Sequence, residues 1–455
     1  MRLKSLPVAA MALALMSSAA PVLAQVRTPV TEAQAVNALS PAERDAVVAA
    51  VKVAYKKNYV FPDKVPAILA RLDKSKASGR YNVGNPNELA ALITVDLRES
   101  SQDGHAYMQY DPQRYAAAVS TPAGGPGSGP SAGLGDFDAA NARRDNYGLV
   151  ETRILPGNIR YLKISGFEWV GDETGQAYDG AMRFLKGGDA VIIDLRGNGG
   201  GSAEAVQYAI SHFLKAGTLE ITFLHAGDEP VQTRVLDNLP AGRMIGKPLY
   251  VLIDKGVGSA AESFAYDVQQ FKLGTLIGAP TAGAANNNDF FPVAPGYMLS
   301  VSTGRPMHAV SKSNWEGTGV APDVAITPSQ ALEMAQSLAL KALTAQHPAP
   351  EVQADYDWAL PEVEARLHPV VVSETAAKAA VGSYGGKYVV TAEKDGLWIA
   401  RPGHRLWPEP RRLTALTAEG LFAVDGIDIL RVAFKGQALE LHWKGEAEPQ
   451  VLPRS

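Results

Sequence analysis

The chain has 455 residues, more than one domain usually holds, so two or three domains are expected. Hydrophobic residues make up 46% and charged residues 20%, a balance that supports packed cores and excludes a largely disordered chain. A net charge of −4 gives no global electrostatic case for nucleic acid or an anionic membrane, and the absence of cysteine excludes disulfides and thiol chemistry. In chain order, MRLKSLPVAAMALALMSSAAPVLAQ opens the sequence. Arg2 and Lys4 precede a short, alanine-rich apolar run and then Val22-Leu23-Ala24, the pattern of a secretory signal peptide (1–24) cleaved after Ala24. No later stretch is apolar and long enough to span a bilayer. The expectation is export, with the bacterial periplasm the natural compartment, secretion remaining open, and no membrane association once the signal is removed.

Residues 28–119 read as a mainly helical domain. AERDAVVAAVKVAYKKNYVF has apolar residues at helical spacing behind a Ser40-Pro41 start signal, and PNELAALITVDLRES repeats the style. STPAGGPGSGPSAGLGD then suggests a flexible linker or loop over 120–140. Over 141–345 strand and helix patterns alternate: NIRYLKISGF, TGQAYDGAMRFLKG, DAVIIDLRG, SAEAVQYAISHFL, KPLYVLID, a helix after Ser259, and GTLIGAP. The alternation predicts an α/β core with a mostly parallel sheet, its sites at the carboxyl ends of strands. HPAPEVQADYDWALP reads as a connection. Residues 355–455, in short alternating runs split by Gly, Asp and Lys turns, read as a small antiparallel β domain, a barrel or sandwich, without visible chemistry.

Four segments carry candidate chemistry. In YVLIDKGVGSAAESFAYD a buried strand hands over to a helix at Ser259, with only small residues beside the hydroxyl. That is either a helix cap in a tight turn or a nucleophile exposed at a helix N-terminus whose free N–H groups face an oxyanion. In AVIIDLRGNGGGSAEAV the glycines 197 and 199–201 follow a strand and precede a helix. The loop matches neither GxxxxGK[ST] nor GxGxxG, and offers either a plain turn or N–H donors to a tetrahedral oxyanion. His105, in SSQDGHAYMQYD, is singled out among eight histidines because it sits at a helix–strand junction beside a turn glycine, whereas His212 lies in a helical run, His225 near a turn and His404 among prolines. Glu316, in SKSNWEGTGVAPDV, is either a solvated loop carboxylate or one that orients an imidazole, directly or through a bridging group.

Taken in order, DGH, IIDLRGNGGG, SAAESFAY, IGAPTAGAAN and NWEGTGVAPD resemble the tail-specific, or C-terminal processing, serine peptidases. The branch is that of the interphotoreceptor retinoid-binding protein and the tricorn core protease, and the resemblance covers about residues 35–330. It implies a crotonase/ClpP-like α/β core, with Ser259 as nucleophile, His105 as base and Glu316 as the remote carboxylate. The oxyanion hole falls to the amides of Ala260 and of the Gly199–Gly200 turn. It further implies a peptide or protein substrate and no metal or organic cofactor, and it leaves the oligomeric state open. Three departures stand out. The loop PTAGAANN has no lysine, which disfavours a Ser-Lys dyad. Gly104 occupies the position of the serine that links histidine to glutamate in tricorn-like enzymes, leaving Ser100, Ser101, Asp103 or a water as candidate bridges. The stretch between His105 and Tyr147 is too short and Gly-rich for an inserted PDZ domain. Two other readings remain on the same fold: a catalytically weak or inactive binder of an apolar ligand or peptide, and a non-peptide ester hydrolase.

Overall fold

The computed structural model describes residues 38–120, 135–225 and 229–455. The signal-peptide reading and most of the Gly/Pro/Ser-rich stretch lie outside the described residues. Among those described, no helix is long and apolar enough to cross a membrane.

The N-terminal region packs three helices, Pro41–Asn58, Val65–Ala77 and Pro86–Ser101. The first starts as its sequence demands. Ser40 and Glu43 form a reciprocal capping box with Pro41 in the first turn, which satisfies N–H groups that have no partner inside the helix. Val47, Val51 and Tyr55 recur at four-residue spacing and are buried against Ile68, Leu72, Leu89, Ile93 and Leu97.

The core is a six-stranded sheet. Strands Ile159–Ile164, Ala190–Asp194, Leu249–Ile253, Thr275–Gly278 and Val324–Ala325 run parallel in that order, and Leu149–Leu155 adds an antiparallel edge. Strands Ala190–Asp194 and Leu249–Ile253 are buried at every residue, the continuous apolar run that a sheet covered on both faces requires. Asp172–Lys186, Ala203–Ser211 and Ala260–Gln270 contribute to the cluster on one face, and Ala331–Thr344 to that on the other. The mostly parallel α/β core expected from the strand–helix alternation is present.

A second sheet has no counterpart in the sequence reading. Tyr107–Tyr110, Tyr297–His308, Leu219–His225 and Val231–Arg234 are joined antiparallel in that order, with Asn287–Ala294 also paired to Tyr297–His308. Its strands come from three distant places in the chain, so no single stretch announces it. The sheet ties the N-terminal helices to the core, because Ala294, Tyr297, Leu299 and Val301 belong to the same buried cluster as those helices.

The Pro-rich segment taken for a connection is instead an 18-residue helix, Pro350–Leu367. Pro350 sits in its first turn, where a missing N–H costs nothing, and Tyr356, Ala359 and Val363 dock on Leu340 and its neighbours. The last region is an eight-stranded antiparallel meander from Gly382 to Pro453. It nearly closes into a barrel: Gly385 N–H donates to Pro453 O at 2.9 Å and Ser455 N–H to Ser383 O at 2.8 Å.

Candidate active site

Strand Leu249–Ile253 delivers the chain to the carboxyl edge of the parallel sheet, where a loop leads to Ser259 and the helix Ala260–Gln270. Asp254 Oδ1 accepts N–H bonds from Gly256 (2.9 Å) and from Gly197 (3.0 Å), clamping this loop to the glycine loop of the neighbouring strand. Gly258 N–H adds a bond to Asn198 O at 3.0 Å. Ser259 has φ 50 and ψ −122, a conformation that costs an ordinary L-residue on the order of 1–3 kcal/mol and concentrates at functional sites. Its small neighbours have a steric reason. A Cβ on Gly200 would lie 2.7 Å from Ser259 Cβ and 2.9 Å from Gly258 O.

Glu262 helps hold Ser259 in this conformation, and the sequence reading passed it over. Fully buried, its carboxylate accepts from Ser259 N–H (3.0 Å), Ala284 N–H (2.8 Å), Gly283 N–H (2.6 Å) and the Thr281 hydroxyl (2.5 Å). The available signal was its place three residues after Ser259, the third helical position, from which a Glu side chain reaches back to the cap.

His105 arrives from the other side. Helix Pro86–Ser101 ends on Gln102 in the left-handed region (φ 55, ψ 41), and Asp103 Oδ1 then accepts His105 N–H at 2.9 Å in a local turn. Strand Tyr107–Tyr110 follows, registered so that Tyr107 faces Ser300, whose hydroxyl donates to His105 O at 2.5 Å. The imidazole Nε2 lies 3.3 Å from Ser259 Oγ. Nδ1 is buried without a hydrogen-bond partner among the described residues. Burial holds the imidazole below its usual pKa; the Asp103 carboxylate opposes the shift and Arg98 adds to it.

Glu316 reaches this histidine through the main chain. Its Oε2 accepts from Ala285 N–H (2.6 Å) and Asn286 N–H (2.9 Å), and its Oε1 from Gly104 N–H (3.3 Å). Burial and then the Asp103 charge raise its pKa, against the three amide bonds. Of the candidate bridges, Ser100 Oγ donates to Asp96 O and Ser101 Oγ to Leu97 O; both hydroxyls turn back onto their own helix. Asp103 does come close: one ligand atom each from Asp103, His105 and Glu316 lies within 4.8 Å of the others. That donor set also suits a divalent cation. The contact of the same imidazole with Ser259 Oγ is what a general base makes.

Of the expected oxyanion donors, Ala260 N–H and Gly199 N–H carry no hydrogen bond among the described residues. Gly200 N–H is engaged, donating to Asn198 Oδ1 at 2.9 Å. Asn198 is itself fully buried and anchored by its Nδ2 to Ile164 O at 3.0 Å, so it fixes the loop from inside. This role was also missed.

A hydroxyl on a strained strand–helix turn, an imidazole within reach and free amides alongside form the arrangement used by acyl-transfer hydrolases. Comparison with known proteins agrees with that class. Residues 158–326 match peptidase family S41, and residues 28–129 match the N-terminal domain of peptidase S41 in eukaryotic IRBP. Both matched segments are thus similar to those of peptidase family S41 proteins. Carboxyl-terminal-processing peptidase 2 of Arabidopsis thaliana is 29% identical over 181 residues, 37% of this chain and 33% of that protein. A carboxy-terminal-processing protease of Bartonella bacilliformis is 25% identical over 220 residues, 47% and 45% of the two chains. The matches thus span less than half the length of these relatives. Among solved structures, the photosystem II D1 C-terminal processing protease aligns with a TM-score of 0.40 and 16% identity over 64% of this chain and 94% of that one. The tricorn protease aligns at 0.41 and 14%, over 70% and 37%.

Proposed function

We propose that the protein is an exported serine peptidase that hydrolyses peptide bonds through an acyl-enzyme on Ser259. The observation that carries this reading is the 3.3 Å approach of His105 Nε2 to Ser259 Oγ, on a serine held in a strained backbone conformation. His105 takes the hydroxyl proton as Ser259 attacks the scissile carbonyl, which requires the imidazole to carry its resting proton on Nδ1. The amides of Ala260 and Gly199 receive the developing oxyanion, a donation worth roughly 3–4 kcal/mol per donor in such sites. The imidazolium then protonates the leaving amine, and water resolves the ester. Glu316 acts as a positioning residue, fixing Gly104 and with it the approach of His105. Substrates are peptides or proteins. Export follows from the N-terminal signal pattern, with the bacterial periplasm as the natural compartment and secretion open; a mature N-terminus at Gln25 checks the export.

The test is a peptide-library digest by wild type and Ser259→Ala side by side, with fluorophosphonate labelling. Turnover and stoichiometric labelling at Ser259 in the wild type, both lost in the variant, are expected. Undiminished peptidase activity in Ser259→Ala refutes the mechanism. Folded wild type that neither labels nor cleaves belongs to the ligand-binding reading, and labelling with ester but no peptide turnover to the esterase reading.

A further inference from the structure

Beside Ser259 a pocket of about 70 Å³ runs along the helix Ala260–Gln270. Its walls include Val206, Ile221, Phe223 and Trp315, with Ser259 and Ser263 on the helix side. Glu220 also lines it. Ser259, Ser263 and Asp267 are spaced four residues apart, so they share one face and extend over about 12 Å of helix axis. At the far end of that face the Glu220 and Asp267 carboxyl groups meet. Glu220 is 2% exposed and Asp267 fully buried.

Glu220 and Asp267 have each other and His308 for company, but no cation among the described residues. Glu220 Oε2 has no hydrogen-bond partner among the described residues, and no lysine or arginine there pairs with either acid. The nearest basic group is His308, also fully buried, with Nε2 3.1 Å from Asp267 Oδ1. Its Nδ1 accepts Val310 N–H at 3.1 Å, so the ring proton sits on Nε2. Burial and a nearby lysine, Lys312, hold that ring neutral, with its pKa lowered to about 4. Burial pushes both carboxyls upward, and the Asp267 charge adds to the rise of Glu220. A buried carboxyl oxygen without a partner, as at Glu220 Oε2, is destabilising unless a ligand satisfies it. A lysine side chain extends about 6 Å from its backbone, and Glu220 lines the same pocket as Ser259. The apolar walls suit the methylene stem.

We propose that this pocket receives the side chain of the residue on the carbonyl side of the scissile bond and that Glu220, backed by Asp267, selects a long cationic one, lysine or arginine. This rests on the peptidase reading for its place in the reaction, but the pocket is tested by binding alone. In Ser259→Ala protein, two blocked peptides differing only in lysine against norleucine at that position are titrated calorimetrically. Lysine is expected to bind at least tenfold tighter, and the difference to shrink to within twofold when Glu220→Gln is added. Norleucine binding as tightly as lysine, or neither peptide binding up to millimolar concentration, overturns the proposal. The lysine–norleucine comparison needs no Glu220 variant, so it stands even where Glu220→Gln fails to fold. Labelling and turnover by the wild type, measured in parallel, report separately on the peptidase reading.

Discussion

Glu262→Gln should unseat the nucleophile while leaving its hydroxyl in the sequence. Four donors converge on the two oxygens of this buried carboxylate: Thr281 and Gly283 on one, Ser259 and Ala284 on the other. A glutamine has one oxygen and one NH2 group, so in either orientation two donors face another donor. The shorter pair, at 2.5 and 2.6 Å, should keep the oxygen, leaving the amides of Ser259 and Ala284 unsatisfied. An orphaned buried donor costs about 1–3 kcal/mol, giving about 2–6 kcal/mol for two before relaxation. That is a large share of the roughly 5–15 kcal/mol by which domains are stable. The relaxation open to the chain is rotation of Ser259 out of its φ 50 conformation, which moves Oγ away from His105. A displacement of about 1 Å is enough for a loss on the order of 100-fold in rate. Urea unfolding with an unchanged slope gives the stability term, and the rate of fluorophosphonate labelling gives the positional one. A loss under about 1 kcal/mol together with labelling within twofold of wild type refutes the assigned role of Glu262.

Gly200→Ala meets both a φ of +117 and a Cβ 2.7 Å from that of Ser259, so labelling should slow at least tenfold and the protein lose about 2–4 kcal/mol, read from the same two assays. Because burial lowers the His105 pKa, the acid limb of kcat/KM should have its midpoint below the usual imidazole value of about 6.5, activity rising with pH as the base loses its proton. Asp103 opposes that lowering, so Asp103→Asn, which keeps an oxygen for the His105 amide, should shift the limb to still lower pH; a shift upward contradicts the assignment. Glu316→Gln should lower kcat about tenfold or more with KM little changed, since one of its three amide partners loses its acceptor and Gly104 is freed to move.

The α/β core was legible because its signals are local. Buried strands such as Ala190–Asp194 are uninterrupted apolar runs, and helices such as Pro41–Asn58 carry their caps in sequence. Ser259, the glycine loop and His105 were legible as candidates for the same reason, each sitting at a junction between elements. The five-stranded sheet was not, because pairs such as Tyr107 with Ser300 join segments nearly two hundred residues apart. The helix Pro350–Leu367 was hidden by prolines read as breakers; Pro350 instead begins the helix and Pro361 lies inside it. Glu262, Asn198 and Glu220 gave no hint of their roles, since a buried polar side chain is recognised by the partners that gather around it or fail to, and those come from other loops.

The substitution at Gly104 becomes intelligible once that second sheet is in view. A linking serine transmits orientation from glutamate to histidine through a side chain, and it needs room. Here Gly104 is pressed so closely against Ala284 that a Cβ would sit 3.1 Å from the Ala284 Cβ, a contact that forces one of them to give. With no side chain to use, the link runs through the amide of Gly104 itself, which donates to Glu316. Such a link fixes where the backbone lies but leaves the imidazole Nδ1 unclaimed. The position of His105 is then set from both ends: by the Asp103 turn and Glu316 on one side, and by the Tyr107–Ser300 register on the other. A slip of one residue in that register would turn every side chain of the strand to its opposite face. The antiparallel sheet therefore does the orienting that a side-chain relay does elsewhere, and the short bond from Ser300 to His105 O is where sheet and site are joined.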